Sequence, residues 1–140
     1  MIDIKKMKEL EIMQIQTHMQ TEPSLCGTPV KLEEGYSLVS LQATSQMRVD
    51  ELGLVHGGFI FGLADYAAMI AVNQPNVALG AADVRFLKPV RVGDLMMAEA
   101  RSGQREGKKQ TVSVRVTRGK DKVFEGTFIC FVLEKHLLAS

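Results

Sequence analysis

The chain has 140 residues, 46% of them hydrophobic and 24% charged, with 17 basic against 16 acidic side chains and a formal net charge of +1 at pH 7. That length accommodates one domain over 1–140, large enough to bury roughly two thirds of its unfolded surface, and the charge balance supplies no global field for nucleic acid or an anionic membrane. Two cysteines, Cys26 and Cys130, are too few for the disulfide framework of a small secreted domain, and the opening Met-Ile-Asp-Ile-Lys-Lys lacks the apolar run of a signal peptide, so a reduced, cytoplasmic protein is expected.

In chain order, Ile4, Met7, Ile12, Ile15 and Met19 recur near the three-to-four spacing of an amphipathic helix, which predicts a short helix within 2–19. Pro23, Gly27 and Pro29 punctuate 22–34 and predict a loop. Tyr36, Leu38, Val39, Leu41 and Ala43 then run without breakers and predict a strand over 35–47. Gly53 lets the chain turn sharply on its approach to His56.

Leu52 to Val72 is the stretch around which the rest is organised. After Gly57 and Gly58, the residues Phe59, Ile60, Phe61, Leu63, Ala64, Ala67, Ala68, Met69, Ile70, Ala71 and Val72 are apolar on every face of a helix, with Asp65 as the charge among them. A helix apolar all round is buried. Asp65 and His56 argue against a membrane span, because ionisable groups are costly in lipid. Pro75 closes the helix by its missing amide proton and by biasing its predecessor away from the α region.

Four β-type segments follow at 77–87, 95–102, 110–118 and 122–135, joined by short connections that only antiparallel neighbours allow. Val112, Val114 and Val116 alternate with Thr111, Ser113, Arg115 and Thr117, giving that strand one wet face. The expected architecture is α+β: a long helix wrapped by a curved antiparallel sheet of about five strands. One such sheet covers only part of the helix, and a second chain is expected to cover the rest.

His56, Gly57 and Gly58 stand where a helix N-terminus presents unsatisfied amides and a positive dipole end. Amides of this kind stabilise the oxyanion of acyl transfer; two glycines also serve simply to turn a strand into a helix. A carboxylate in an apolar helix is paired or functional, so Asp65 is either a general base or nucleophile, or an interface aspartate held by amides or by Arg85 or Arg91. His56 either orients substrate or water, or is a structural histidine bonded to backbone. Gly57 and Asp65 are separated by about 12 Å of helical rise, so they cannot both touch one carbonyl carbon. Two antiparallel helices across a two-fold axis would bring the glycine end of one to the aspartate of the other. No spacing indicates a metal, a nucleophile elbow or a phosphate-binding loop, and no cofactor is expected.

The run Gly53-Leu54-Val55-His56-Gly57-Gly58 with Leu63-Ala64-Asp65 resembles the H-G-G-x-x-x-x-L-A-D signature of hotdog-fold acyl-CoA thioesterases of the phenylacetate-degradation (PaaI-like) type. Ala82 to Val90 with Gly93-Asp94 is similar to the strand and P-x-x-x-G-D turn of that superfamily, so the resemblance spans roughly 36–134. It implies a hotdog fold, dimers whose sheets join edge to edge, and an acyl-CoA thioester held where two subunits meet. Gly57 would then supply the oxyanion amide and Asp65 of the other subunit the base or nucleophile. Where the family often has an asparagine, six residues before the histidine, this chain has Asp50, and a serine or threonine of the strand after the helix is replaced by Leu79 or Ala81. Residues 81–86 and 122–128 are also similar to the effector domain of fatty-acid-biosynthesis repressors, hotdogs that bind acyl-CoA without hydrolysing it.

The expected function is therefore acyl-CoA thioester hydrolysis by a homodimer or a dimer of dimers, with non-catalytic acyl-CoA sensing as the alternative. Phe59, Phe61, Tyr66 and Met69 are the residues expected to line an apolar tunnel, unless they are simply core, and Lys88 and Arg91 those expected to meet the CoA phosphates.

Overall fold

The structure, a computed structural model, describes residues 12–139. Its order is α1 (Pro23–Cys26), β1 (Thr28–Glu33), β2 (Tyr36–Gln42), a 3-10 turn (Ser45–Met47), α2 (Gly57–Val72), β3 (Val77–Phe86), β4 (Leu95–Glu106), β5 (Lys109–Arg118) and β6 (Asp121–Val132). The strands form a single sheet in the order β1-β2-β4-β5-β6-β3, antiparallel throughout.

The helix α2 is the predicted central element and begins and ends at capping residues. His56 occupies the N-cap, and Asn73 closes the C-terminus in the left-handed region at φ 53°, its amide donating to the Met69 carbonyl. Ile60, Leu63, Ala64, Ala67, Ala68, Met69, Ile70 and Ala71 are buried against Val39, Leu41, Met96, Ala98, Val112, Val116, Phe124 and Phe128 of the sheet. Each large apolar side chain taken fully out of water contributes about 1.5–3 kcal/mol. Alanines 64, 67, 68 and 71 keep the helix close to the strands, and the Ser37 hydroxyl donates to the Ala67 carbonyl at 2.7 Å inside this contact. The helix is not covered all round: Gly58 is exposed, and Phe61, Gly62 and Asp65 are half-buried along one stripe.

Four expectations are corrected. The short connection between β3 and β4 does not join neighbours, because β3 lies at the edge of the sheet paired with β6 while β4 lies between β2 and β5. The sheet has six strands, because β1 occupies part of the region read as a loop. Pro29 concealed it: the strand is an edge strand with an irregularity between Pro29 and Lys31, where a missing amide proton costs no ladder bond. The helix expected within 2–19 lies outside the described residues as far as residue 11. From Ile12 onward the chain is an extended strap rather than a helix. Ile12 bridges Leu32, the Met13 amide donates to the Leu32 carbonyl, and Asn73 fastens the strap to the end of α2 by accepting from the Gln16 amide and donating to the Gln14 carbonyl. The short N-terminal helix is α1, begun by Pro23 and capped by the Glu22 side chain. β6 ends at Val132 instead of running to 135.

The last strand in the order, β3, is an edge. Asp83, Arg85, Gly80, Ala81, Ala82 and Phe86 are all exposed along it, while β5 beside β6 alternates cleanly between buried and exposed positions. No helix of the described residues is long and apolar enough to cross a membrane.

Candidate active site at the start of the central helix

The approach to α2 is a braced loop. The Val55 amide donates to the Val90 carbonyl at 2.9 Å, Leu54 bridges Arg91, and the His56 amide donates to the Met47 carbonyl at 2.8 Å. Gly53 turns the chain at φ 86°, as its sequence position predicted. Asp50 stands on this turn, its carboxylate accepting from the Leu54 amide at 3.2 Å, so it shapes the loop before the helix.

The three residues at the helix start are not equivalent. His56 Nδ1 accepts from the Gly58 amide at 2.7 Å, and the His56 carbonyl accepts from Phe59 at 3.1 Å. A Cβ on Gly58 would lie 2.8 Å from His56 Nδ1, so glycine is what lets the ring fold over to make this cap. The Gly57 amide has no acceptor among the described residues. It is the free donor at the positive end of α2, and the amide of Gly58 is already used.

Gly57 lines a cleft of about 360 Å³ together with Val55, Ile60, Phe86, Leu87, Lys88, Pro89 and Val90. Phe86, which sequence reasoning passed over, is the wall of this cleft. It is 53% exposed, packs edge-on against Phe124 at 5.1 Å, and its ring would stand 3.1 Å from a Cβ on Gly57. Its only sequence signal was an aromatic at the end of a β-type segment, just before Leu87-Lys88-Pro89. Lys88 stands on the same cleft, its ammonium paired with Asp121 at 2.8 Å. Arg91 is exposed, with its amide donating to Asp94 at 2.8 Å.

Asp65 is two turns further along α2. One of its carboxylate oxygens is buried without a hydrogen-bond partner, and burial pushes its pKa up from 3.8 to about 6. Neither Arg85 nor Arg91 pairs with it among the described residues. Cys130, a free and buried cysteine, has its thiol pushed up to about 12, first by burial and then by the Asp65 charge. Such a thiol stays protonated and inert.

An antiparallel sheet wrapped round one long helix, with H-G-G at the helix start and an aspartate further along it, is the arrangement that the family comparison matches. The family model described as "Thioesterase superfamily" matches residues 52–125, which contain α2, the cleft and the strands β3 to β5. The chain belongs to the thioesterase superfamily.

Within the superfamily, the acyl-coenzyme A thioesterase PaaI of Escherichia coli is 31% identical over 110 residues, 70% of this chain and 78% of PaaI. The transcription factor FapR of Caldanaerobacter subterraneus is 29% identical over 136 residues, 96% of this chain and 67% of FapR. A protein of Aquifex aeolicus named methylthioribose-1-phosphate isomerase is 52% identical over 121 residues, 86% of this chain, but the chain spans only 26% of its length. Among solved structures, an uncharacterized protein from Pyrococcus horikoshii has a TM-score of 0.89 at 54% identity, over 91% of this chain and 98% of that one. A Streptococcus mutans protein bound to acetyl CoA has a TM-score of 0.74 at 23% identity, over 84% of this chain and 97% of that one, which is a likeness of fold.

In this superfamily fold the expected site residues fall into separate groups. Gly57 and Lys88 share the cleft, with His56 and Gly58 beside it as the helix cap. Phe59 meets the His56 ring edge-on at 6.2 Å, and Phe61 packs against Phe128 at 5.5 Å. Tyr66 and Met69 are buried in the core, at 7% and 0% exposure. None of these four lines the cleft, and neither does Asp65. No group of three His, Cys, Asp or Glu among the described residues is placed to hold a metal.

Proposed function

We propose that this protein hydrolyses an acyl-CoA thioester to the free acid and CoA, at a site shared between two subunits of a homodimer. What supports the reading is the division of chemistry along α2: an unoccupied amide at Gly57 facing a cleft, and a buried carboxylate at Asp65 without a partner. The thioester oxygen accepts from Gly57, which stabilises the negative charge that develops there. Asp65 of the other subunit attacks the carbonyl or activates water for attack. Its raised pKa of about 6 leaves it ionised at neutral pH yet basic enough to take a proton. His56 holds the helix start in place, and Asp50 the loop before it. Water is the co-substrate and no cofactor takes part.

The half-open stripe of Gly58, Phe61, Gly62 and Asp65 is the face on which a partner helix fits, because a Cβ on Gly62 would meet nothing within 4 Å. Sedimentation of the full chain at micromolar concentration is expected to give a dimer or a dimer of dimers; a monomer would remove the shared site. Phe59 and Phe61, half-buried on α2, are the residues left to shape the apolar side of the acyl site, Tyr66 and Met69 being core. Lys88, on the cleft, and Arg91 meet the CoA phosphates beyond it. Lys88→Ala and Arg91→Ala are each expected to weaken CoA binding several-fold and to flatten its salt dependence, and unchanged affinity by calorimetry would cancel that assignment.

Acyl-CoA sensing without turnover is the second reading, favoured by the match to FapR over 96% of the chain and by Asp50, Leu79 and Ala81 at positions where the resemblance implies Asn and Ser or Thr. Release of free thiol from a panel of acyl-CoAs decides between them. Turnover supports hydrolysis, and saturable binding without thiol release supports sensing.

A further inference from the structure

The segment that walls the cleft, Leu87 to Asp94, is tied to the turn between β5 and β6 by a chain of charges. In that turn Arg118 and Asp121 face each other in register across Gly119 and Lys120. The Arg118 guanidinium donates to the Pro89 carbonyl, stands 3.6 Å from Asp94 and pairs with Asp121 at 3.2 Å. Asp94 in turn accepts from the Arg91 amide at 2.8 Å, and the other oxygen of Asp121 pairs with the Lys88 ammonium at 2.8 Å. Lys88 first and Arg118 second hold the Asp121 carboxyl below the usual carboxylate range.

The two cations that share Asp121 are held differently. Arg118 has three acceptors, a side chain only 27% exposed and a planar fork that reaches all of them at once, so it is fixed in place. Lys88 has a fixed backbone and a free side chain. Its amide and that of Leu87 both donate to the Val123 carbonyl, at 3.4 and 2.8 Å, but its half-exposed ammonium has Asp121 as its one acceptor among the described residues. Lys88 is also the one charged residue on the cleft that holds Gly57, and Asp121 does not line that cleft. A flexible stem therefore lets the ammonium turn from the β5–β6 turn to the cleft. Arg118 still balances Asp121 when it does, so no unpaired carboxylate is left behind.

We propose that Asp121 is an internal competitor for Lys88: the ammonium leaves Asp121 for a phosphate group of the CoA arm, while Arg118 keeps the carboxylate paired. This rests on the CoA reading of the preceding subsection and deepens it by naming what sets the strength of the phosphate contact. The group recognised is a phosphate ester or diphosphate, because an ammonium with three donors bonds such oxygens as a point charge. Exchange of one half-exposed anion for another is nearly balanced, so the contact forms and breaks readily. Parting Lys88 from Asp121 is a step of binding, which holds the affinity for the phosphate arm below what an unpaired ammonium would give.

Calorimetry with CoA and with pantetheine, which has the same thiol arm without nucleotide or phosphates, tests the competition in the full chain. Asp121→Asn is expected to bind CoA about three- to tenfold more tightly than wild type, with a steeper salt dependence, and to bind pantetheine as wild type does. The fold is kept, because Arg118 retains Pro89 and Asp94 and an exposed ion pair adds little to stability. A merely structural Asp121 gives the opposite sign, weaker CoA binding on its removal. In Lys88→Ala, which lacks the ammonium, adding Asp121→Asn is expected to bring no gain. A gain that persists there, or that pantetheine shares, would overturn the competition. So would equal or weaker CoA binding by Asp121→Asn when Lys88→Ala does lose affinity, and the CoA reading would then stand without it. CoA binding unchanged in Lys88→Ala would overturn the assignment of Lys88 to the phosphates and the competition together.

Discussion

Asp65→Asn is expected to lower kcat for acyl-CoA hydrolysis by about 10²–10⁴-fold while the fold is kept, because the amide is nearly isosteric with the carboxylate but neither takes a proton nor attacks a carbonyl. The wild-type kcat/KM should rise with pH through about 6, the value to which burial pushes Asp65, and the residual activity of the variant should lack that step. Stability should move the opposite way. Below 3.8 the carboxyl is protonated whether folded or not; between 3.8 and about 6 the folded chain holds a proton that the unfolded chain has released. Stability therefore falls as pH rises across that window, by at most about 3 kcal/mol, and is flat above it as far as Asp65 is concerned. Urea unfolding at pH 4 and pH 7 should show that loss in wild type relative to Asp65→Asn. Full hydrolytic activity in Asp65→Asn would reject the catalytic role and favour acyl-CoA sensing.

Mixed dimers of Asp65→Asn with Gly57→Val are expected to regain activity that neither variant has alone. A valine at position 57 presses on the Phe86 ring, already 3.1 Å from where a Cβ would sit, and closes the approach to the free amide. In a mixed dimer one site pairs the intact Gly57 of one chain with the intact Asp65 of the other, and the second site carries both lesions. Random re-equilibration of equal amounts should therefore recover about a quarter of wild-type activity. Confirmed subunit exchange without recovery would show that glycine and aspartate do not act across the interface, and the 12 Å that separates them along one helix would then need a different explanation.

Much of the molecule was readable before any coordinates. The apolar run from Phe59 to Val72 predicted a buried helix, His56-Gly57-Gly58 and Asp65 marked its two polar stations, and the tight turns after residue 102 predicted the antiparallel neighbours β4, β5 and β6, whereas β3, though joined to β4 by a short connection, pairs with β6 instead. These features are legible because helix burial, capping and hairpin turns are set by residues within a few positions of one another. The strand β1 was hidden by Pro29, and the strap at 12–19 has a helical spacing that its bonds to Leu32 and Asn73 override. Which glycine keeps its amide was equally out of reach: His56 consumes that of Gly58, and only the placed ring shows that Gly57 remains free. Phe86 came to the cleft because β3, distant in sequence from β6, pairs with it and carries the ring over the helix start. The sequence by itself determined the family, the central helix and the chemistry available to it. Tertiary structure alone decided which donor is open, which carboxylate oxygen has no partner and which strand is left as an edge, because those depend on pairings between residues far apart in the chain.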